Sequence, residues 1–181
     1  MMLRFAPVTA DNWDDFEWFF ESRGGPHYCW CMAWRSNEFK KELPGKAGKK
    51  ASMKSRVVSG TPIGILGYRD SEPVAWCSIA PRESYRPLGG DETLDRVWSL
   101  VCFFVHRQCR NKGVSMQLLQ AAIAEARSQG ARYVEAYPVE SDSTTYRFMG
   151  LVPAFEEAGF RFVKPAGTRR TVMLLPLEDN R

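Results

Sequence analysis

Between His106 and Ser115 the chain reads H-R-Q-C-R-N-K-G-V-S, and the chemistry that these residue types suggest is the holding of phosphate. Arg110 and Lys112 bring positive charge, and Gly113, lacking a side chain, lets a ligand come close to the backbone. An almost wholly apolar run, Val97 to Val105, precedes the segment, and an amphipathic stretch follows it, so a strand here hands over to a helix. The unpaired N–H groups of a first helical turn, with the positive end of the helix dipole, make a place for phosphate oxygens. Many strand-to-helix turns contain a glycine and two basic residues, so the reading draws its weight from the elements on either side.

A second group lies near the start of the chain. His27, Cys29 and Cys31 invite a zinc reading, but structural zinc takes four ligands and no second Cys/His pair follows, so no metal is expected. Tyr28, Trp30, Met32 and Trp34 form an aromatic wall that is either core or the side of a substrate pocket.

The elements that must position these residues follow from periodicity. Leu3 to Val8 reads as a strand and Asp11 to Ser22 as a helix capped by Asp11 or Asn12, with Trp13, Phe16 and Phe20 on one face. His27 to Arg35 is loop or short helix. Ile63 to Tyr68 and Pro73 to Ile79 form a hairpin turning at Arg69 to Glu72, and Pro81 to Glu92 is a surface loop. Only Ser99 interrupts the apolar run Val97 to Val105, which belongs mid-sheet under cover on both faces; that favours an α/β or α+β layered architecture. Gly113 to Gln129 has helical spacing at Val114, Leu118, Ala122 and Ala126 and is stopped by Gly130. Tyr133 to Tyr137 is the next strand, and the crossover between it and Val97 to Val105 makes the two parallel. Pro153 to Ala158 is a short helix, and Phe160 to Val163 and Thr171 to Leu177 are closing strands.

A chain of 181 residues with 44% hydrophobic content suits one well-buried domain, residues 1–181. No signal-length apolar run opens it and no 18 consecutive apolar residues occur, which implies a cytoplasmic protein without a membrane partner. The five cysteines are an odd set that fits a reduced compartment. The net charge of +4 is modest, although Lys40 to Arg56 concentrates seven basic residues against Glu42. Such a run is most often a solvated loop or helix face, and no nucleic-acid-binding motif accompanies it, so no nucleic-acid partner is expected.

From Val97 to Leu177 the chain resembles the GNAT superfamily of N-acetyltransferases. The family signature, Arg or Gln, two residues, Gly, one residue, Gly or Ala, is matched by Arg110, Gly113 and, with a change, Ser115. The resemblance implies a mixed α/β (α+β) three-layer fold: a central, mostly antiparallel sheet with helices on both faces. It also implies acetyl-CoA as cosubstrate, with Phe103, Phe104 and Val105 along the pantetheine arm. Arg110, Asn111, Lys112, Gly113, Val114 and Ser115 would then hold the pyrophosphate. Glu156 to Phe160, E-E-A-G-F, is similar to the family's closing segment; the preceding position is commonly a tyrosine that protonates the leaving thiolate, and here it is Phe155. The glutamate base of histone-acetyltransferase members aligns with Ser99, which at most orients a water. Acyl transfer to an amine needs a proton acceptor and a donor to the thioester oxygen. Glu135 is the candidate base, Tyr146 the replacement acid, and His27 an outside candidate base. The implied activity is N-acetylation of a primary amine on a small molecule or peptide, with a homodimer left open. The competing readings are a non-catalytic acyl-CoA sensor and an unrelated nucleotide-binding domain.

Overall fold

The apolar run Val97–Val105 is the fourth strand, at the centre of a seven-stranded sheet. The computed structural model describes residues 2–177, so the ends of the expected 1–181 unit, Met1 and 178–181, lie outside the described residues. In chain order the elements are β1 (Arg4–Pro7), α1 (Trp13–Glu21), α2 (Lys46–Val58), β2 (Ile65–Arg69), β3 (Glu72–Pro81), β4 (Val97–Val105), α3 (Val114–Ser128), β5 (Tyr133–Ala136), α4 (Val152–Glu157), β6 (Arg161–Ala166) and β7 (Arg170–Pro176). The strands lie in the order β1-β2-β3-β4-β5-β7-β6. Every neighbouring pair is antiparallel except β4 with β5, whose parallel pairing is the one the crossover through α3 requires.

Side-chain alternation gives the sheet two apolar faces, each roofed by helix. On one, α3 buries Val114, Leu118, Leu119, Ala122, Ile123 and Ala126 over Ile79, Trp98 and Leu100. On the other, Phe16, Phe19 and Phe20 of α1 with Met53 and Val57 of α2 cover Leu66, Tyr68 and Trp76. Each such large apolar side chain, fully buried, contributes about 1.5–3 kcal/mol, so the roofing helices rather than local propensity hold the sheet. The expected mixed α/β architecture, mostly antiparallel with helices on both faces, is the observed one.

Several element ends shift by a few residues from expectation, β6 running to Ala166 rather than Val163. The basic run contains a helix, α2, that its composition hid: its buried positions are Gly48, Ser52, Met53 and Val57, a thin stripe among lysines. Two of its charges are tied down, Lys50 to Glu17 and Glu21 and Arg56 to Glu38. Helix α1 is preceded by a 3-10 turn, Ala10–Asn12, where the Asn12 side chain accepts the Thr9 N–H at 2.8 Å and donates to the Pro7 carbonyl at 3.0 Å.

Candidate active site

Strands β4 and β5 pair only from Val97 with Tyr133 to Leu100 with Ala136. Beyond that they part. Strand β5 ends, while β4 runs on to Val105 with β3 on its other side. In that pairing Ser78 faces Cys102 and Ile79 faces Leu100, so Val101 is an extra residue, a bulge that bends the strand away from β5. The bulge turns Phe103 and Val105 to the α3 side and Phe104 to the α1 side, where it meets Phe19 edge-on at 5.7 Å between ring centroids. Among the described residues no strand lies beside the Phe103–Val105 edge once owed to β5, and alternate main-chain groups face a cleft. One of them, the Val105 carbonyl, accepts Arg110 Nε–H at 2.9 Å.

The cleft, roughly 700 Å³, runs from this edge to the start of α3. Gly113 is the N-terminal cap, left-handed at φ 72°, ψ 8°, and a Cβ there would meet nothing within 4 Å; the backbone angle, not crowding, asks for glycine. Asn111 is left-handed too, at φ 59°, a conformation Asn tolerates. The first bond of the helix joins Gln117 N–H to the Gly113 carbonyl at 3.3 Å, which leaves the amides of Val114, Ser115 and Met116 without intrahelical acceptors. Of the nine expected coenzyme residues, Phe103, Phe104, Val105, Arg110, Asn111, Gly113, Val114 and Ser115 line the cleft. Lys112 is outside the lining and donates to the Gln108 carbonyl at 2.9 Å. The facing wall is Arg147, Phe148, Gly150, Leu151, Ala154 and Phe155. An open strand edge leading to unpaired amides suits an extended amide-bearing chain that ends in phosphate.

Phe155 is in the cleft wall but 1% exposed, edge-on to Phe103 and Phe160 with centroids at 5.9 and 5.0 Å. It offers no proton. The two expected catalytic side chains are not in the lining. Glu135 is fully buried about four residues, or about 13 Å, down β4 from Phe103. Its Oε1 accepts Arg82 Nε at 3.0 Å, Ser99 Oγ at 2.5 Å and Tyr137 Oη at 2.6 Å, and its Oε2 accepts Arg82 Nη2 at 2.5 Å. Burial, then the Glu135 charge, pushes the Tyr137 phenol far up, so Tyr137 keeps its proton and remains a donor. A carboxylate held by four donors anchors the turn that carries Arg82, and with Arg82, Ser99 and Tyr137 it lines a separate cavity of about 190 Å³. Ser99, in the position of the family's glutamate base and able at most to orient a water, donates to that carboxylate.

Tyr146, left-handed at φ 56° and half-buried, is outside the cleft lining, its ring 6.1 Å from those of Trp34 and Phe148. His27 is exposed and its nearest ring is Tyr28 at 6.1 Å.

Beside the cleft a smaller cavity of about 220 Å³ shares Phe103, Phe104 and Phe148 with it, and is otherwise lined by Phe20, Pro26, Tyr28, Cys29, Cys31, Ala33, Trp34, Trp76 and Cys102. The aromatic wall of the sequence divides here. Trp30 is buried against Phe20, with centroids 5.2 Å apart, and Met32 is core, while Tyr28 and Trp34 face the cavity. The cavity joins residues from α1, the 26–34 segment, β3 and β4; beyond Phe103 and Phe104, shared with the cleft, only Tyr28 and Trp34 of its lining had a pocket signal in the sequence. Among the described residues, neither cavity nor cleft is lined by Asp, Glu or His. Among the described residues no group of three or more His, Cys, Asp and Glu side chains could hold a metal ion.

Residues 5–150 match the acetyltransferase (GNAT) family. The chain belongs to the GNAT acetyltransferase family. This acyltransferase assignment rests on the sequence match, which takes in the bulged strand, the signature turn and the start of α3. No curated protein matches the sequence significantly. Among solved structures, this GNAT chain is similar to the PaiA N-acetyltransferase of Thermoplasma acidophilum in complex with coenzyme A: 13% identity, 98% of this chain and 100% of that one, TM-score 0.59. It is also similar to the ribosomal-protein-alanine N-acetyltransferase of Brucella melitensis, at 17% identity, 98% and 100% coverage and TM-score 0.57. A third, yncA of Salmonella typhimurium with its cofactor acetyl-CoA, has 15% identity, 100% and 97% coverage and TM-score 0.58. At these identities the likeness is one of fold. Among the described residues no helix is long and apolar enough to cross a membrane.

Proposed function

We propose that this chain transfers an acetyl group from acetyl-CoA to a primary amine of a small-molecule or peptide acceptor. The observation that carries the reading is the continuity of the unpaired β4 edge with the unpaired amides of α3 along one cleft. Solved neighbours that hold coenzyme A or acetyl-CoA support it. The Phe103–Val105 main chain would pair with the pantetheine amides, and the Val114, Ser115 and Met116 amides, with Arg110 nearby, would receive the pyrophosphate. Ser115, where the family has Gly or Ala, adds a hydroxyl that can donate to a phosphate oxygen. When bound, acetyl-CoA supplies an activated acyl carbon with a thiolate leaving group.

A main-chain N–H on the open edge near Val105 is the donor for charge developing on the acyl oxygen. The acceptor's carbon skeleton would lie in the aromatic cavity, which meets the cleft at Phe103, Phe104 and Phe148. Among the described residues no Asp, Glu or His is in either lining, which favours departure of the ammonium proton through water. The reduced, cytoplasmic setting expected from the cysteines fits an acetyl-CoA user.

Phe155 favours one second reading, a non-catalytic acyl-CoA sensor, because the position offers no acid. Incubation with acetyl-CoA and a broad panel of primary amines, reading free thiol, tests both. Transfer predicts amine-dependent thiol release; coenzyme binding without release on any amine would replace it with the sensor.

A further inference from the structure

Two cavities besides the cleft have room for the body of an amine, and they differ in charge. The one around Glu135 also carries Glu83, Glu92, Arg82 and Arg86 and would suit a polar amine, but it shares no lining residue with the cleft. The aromatic cavity shares Phe103, Phe104 and Phe148 with it. Phe20 and Trp76 form its buried floor, and Tyr28 and Ala33 are exposed at its rim. Among the described residues its lining contains no Asp, Glu, His, Lys or Arg.

The charge next to two of its aromatic walls is positive. Arg170 lies over the Trp34 ring, its Cζ 4.8 Å from the centroid, and Arg110 lies over the Phe104 ring at 5.7 Å. Among the described residues neither guanidinium is in an ion pair with a carboxylate. Aromatic faces attract cations, but these two rings already carry one each. A second ammonium group on the acceptor, placed in this cavity, would lose its water, find no carboxylate and meet two like charges. An uncharged body avoids all three costs and buries apolar surface. At the close packing of protein interiors, a cavity of about 220 Å³ holds on the order of ten non-hydrogen atoms, which is one aromatic ring with a short arm. The surroundings that exclude a second cation also favour the neutral form of the reacting nitrogen, which is the form that attacks.

We infer that the aromatic cavity receives the uncharged body of a small arylalkyl monoamine, with its primary amine directed to the β4 edge, and that it rejects polyamines and other multiply charged amines. That the amine is then acetylated rests on the proposed function; which body the cavity accepts does not. In the transfer the ammonium first gives one proton to water. The nitrogen lone pair then forms the C–N bond with the acyl carbon while the C–S bond breaks. A second proton of that nitrogen passes through water to the departing thiolate, which leaves the amide and free coenzyme A.

The test assays the full chain with acetyl-CoA and matched primary amines, reading free thiol. Pentylamine and diaminobutane differ only in a terminal methyl or ammonium, and pentylamine should have the higher kcat/KM by about a hundredfold. From ethylamine to phenethylamine kcat/KM should rise about tenfold or more, since each buried methylene contributes about fourfold. Ala33→Phe, which adds bulk at the rim, should lower the ratio of phenethylamine to ethylamine about tenfold and leave acetyl-CoA affinity unchanged. A diamine equal to or better than its monoamine, no gain from the ring, or an unchanged ratio in Ala33→Phe would overturn the inference. If no amine releases thiol, the transfer reading falls, and calorimetric titration of phenethylamine and diaminobutane into the coenzyme A complex decides the cavity by itself. Binding of phenethylamine at least about tenfold tighter than diaminobutane would keep the assignment; equal binding, or binding of neither, would overturn it as well.

Discussion

At the scale of single residues, being near a reaction and being free to take part in it are separate properties. Glu135 has a carboxylate on a central strand, yet Arg82, Ser99 and Tyr137 occupy its oxygens. Glu135→Gln would leave the largely buried Arg82 without its counter-charge, so a loss of about 3 kcal/mol in urea unfolding is expected, with coenzyme affinity kept by the folded fraction. A collapse of turnover at unchanged stability would instead make Glu135 the base. Tyr146 tests the same distinction from the other side. Its ring packs beside Trp34 and Phe148 and is in the lining of neither cleft nor cavity, so Tyr146→Phe should keep turnover within about twofold, whereas a loss of about a hundredfold would restore it as the acid. Glu135 accepts from Tyr137, two residues on, but its main partner, Arg82, is 53 residues away, and no local pattern announces such a pair.

At the scale of elements, the site is made where regular structure stops. The bulge at Val101 and the end of β5 at Ala136 free the Phe103–Val105 edge, and the αL residues Asn111 and Gly113 turn the chain into α3. The wall opposite depends on Gly150, which has φ 93° and ψ 172°, a region nearly closed to other residues. A Cβ there would come within 2.5 Å of the Phe155 ring. Gly150→Ala should therefore cost about 2 kcal/mol or more in thermal or urea unfolding and weaken coenzyme binding as Phe155 is pushed into the cleft; wild-type values for both would show that the wall yields freely. Strand β4, helix α3 and their parallel crossover were legible because one has a run of nine mostly apolar residues and the other a clean helical period. The bulge was not: an apolar run reads alike whether or not one residue is extra. Helix α2 escaped for want of pattern, being lysine-rich, opened by Gly45 and buried through small residues as much as large ones.

At the scale of the molecule, the sheet keeps the two halves of the chemistry apart. Helix α3 roofs one face and presents its amides to the cleft; α1, α2 and the 26–34 segment roof the other and wall the aromatic cavity; the bulged end of β4 is where they meet. The signature turn showed the first half in the sequence, since backbone chemistry needs only a glycine and a helix start. The second half is assembled from side chains far apart in the chain, which no motif reports. The central claim is that the coenzyme binds through the α3 amides. Isothermal titration of acetyl-CoA into the wild type, Gly113→Ala and Gly113→Glu addresses it most directly, with circular dichroism confirming that each is folded. Ala should bind only slightly more weakly, because it meets nothing but the cost of a positive φ. Glu, setting a negative charge against phosphate, should lose about a hundredfold or more; wild-type affinity in folded Gly113→Glu would contradict the account.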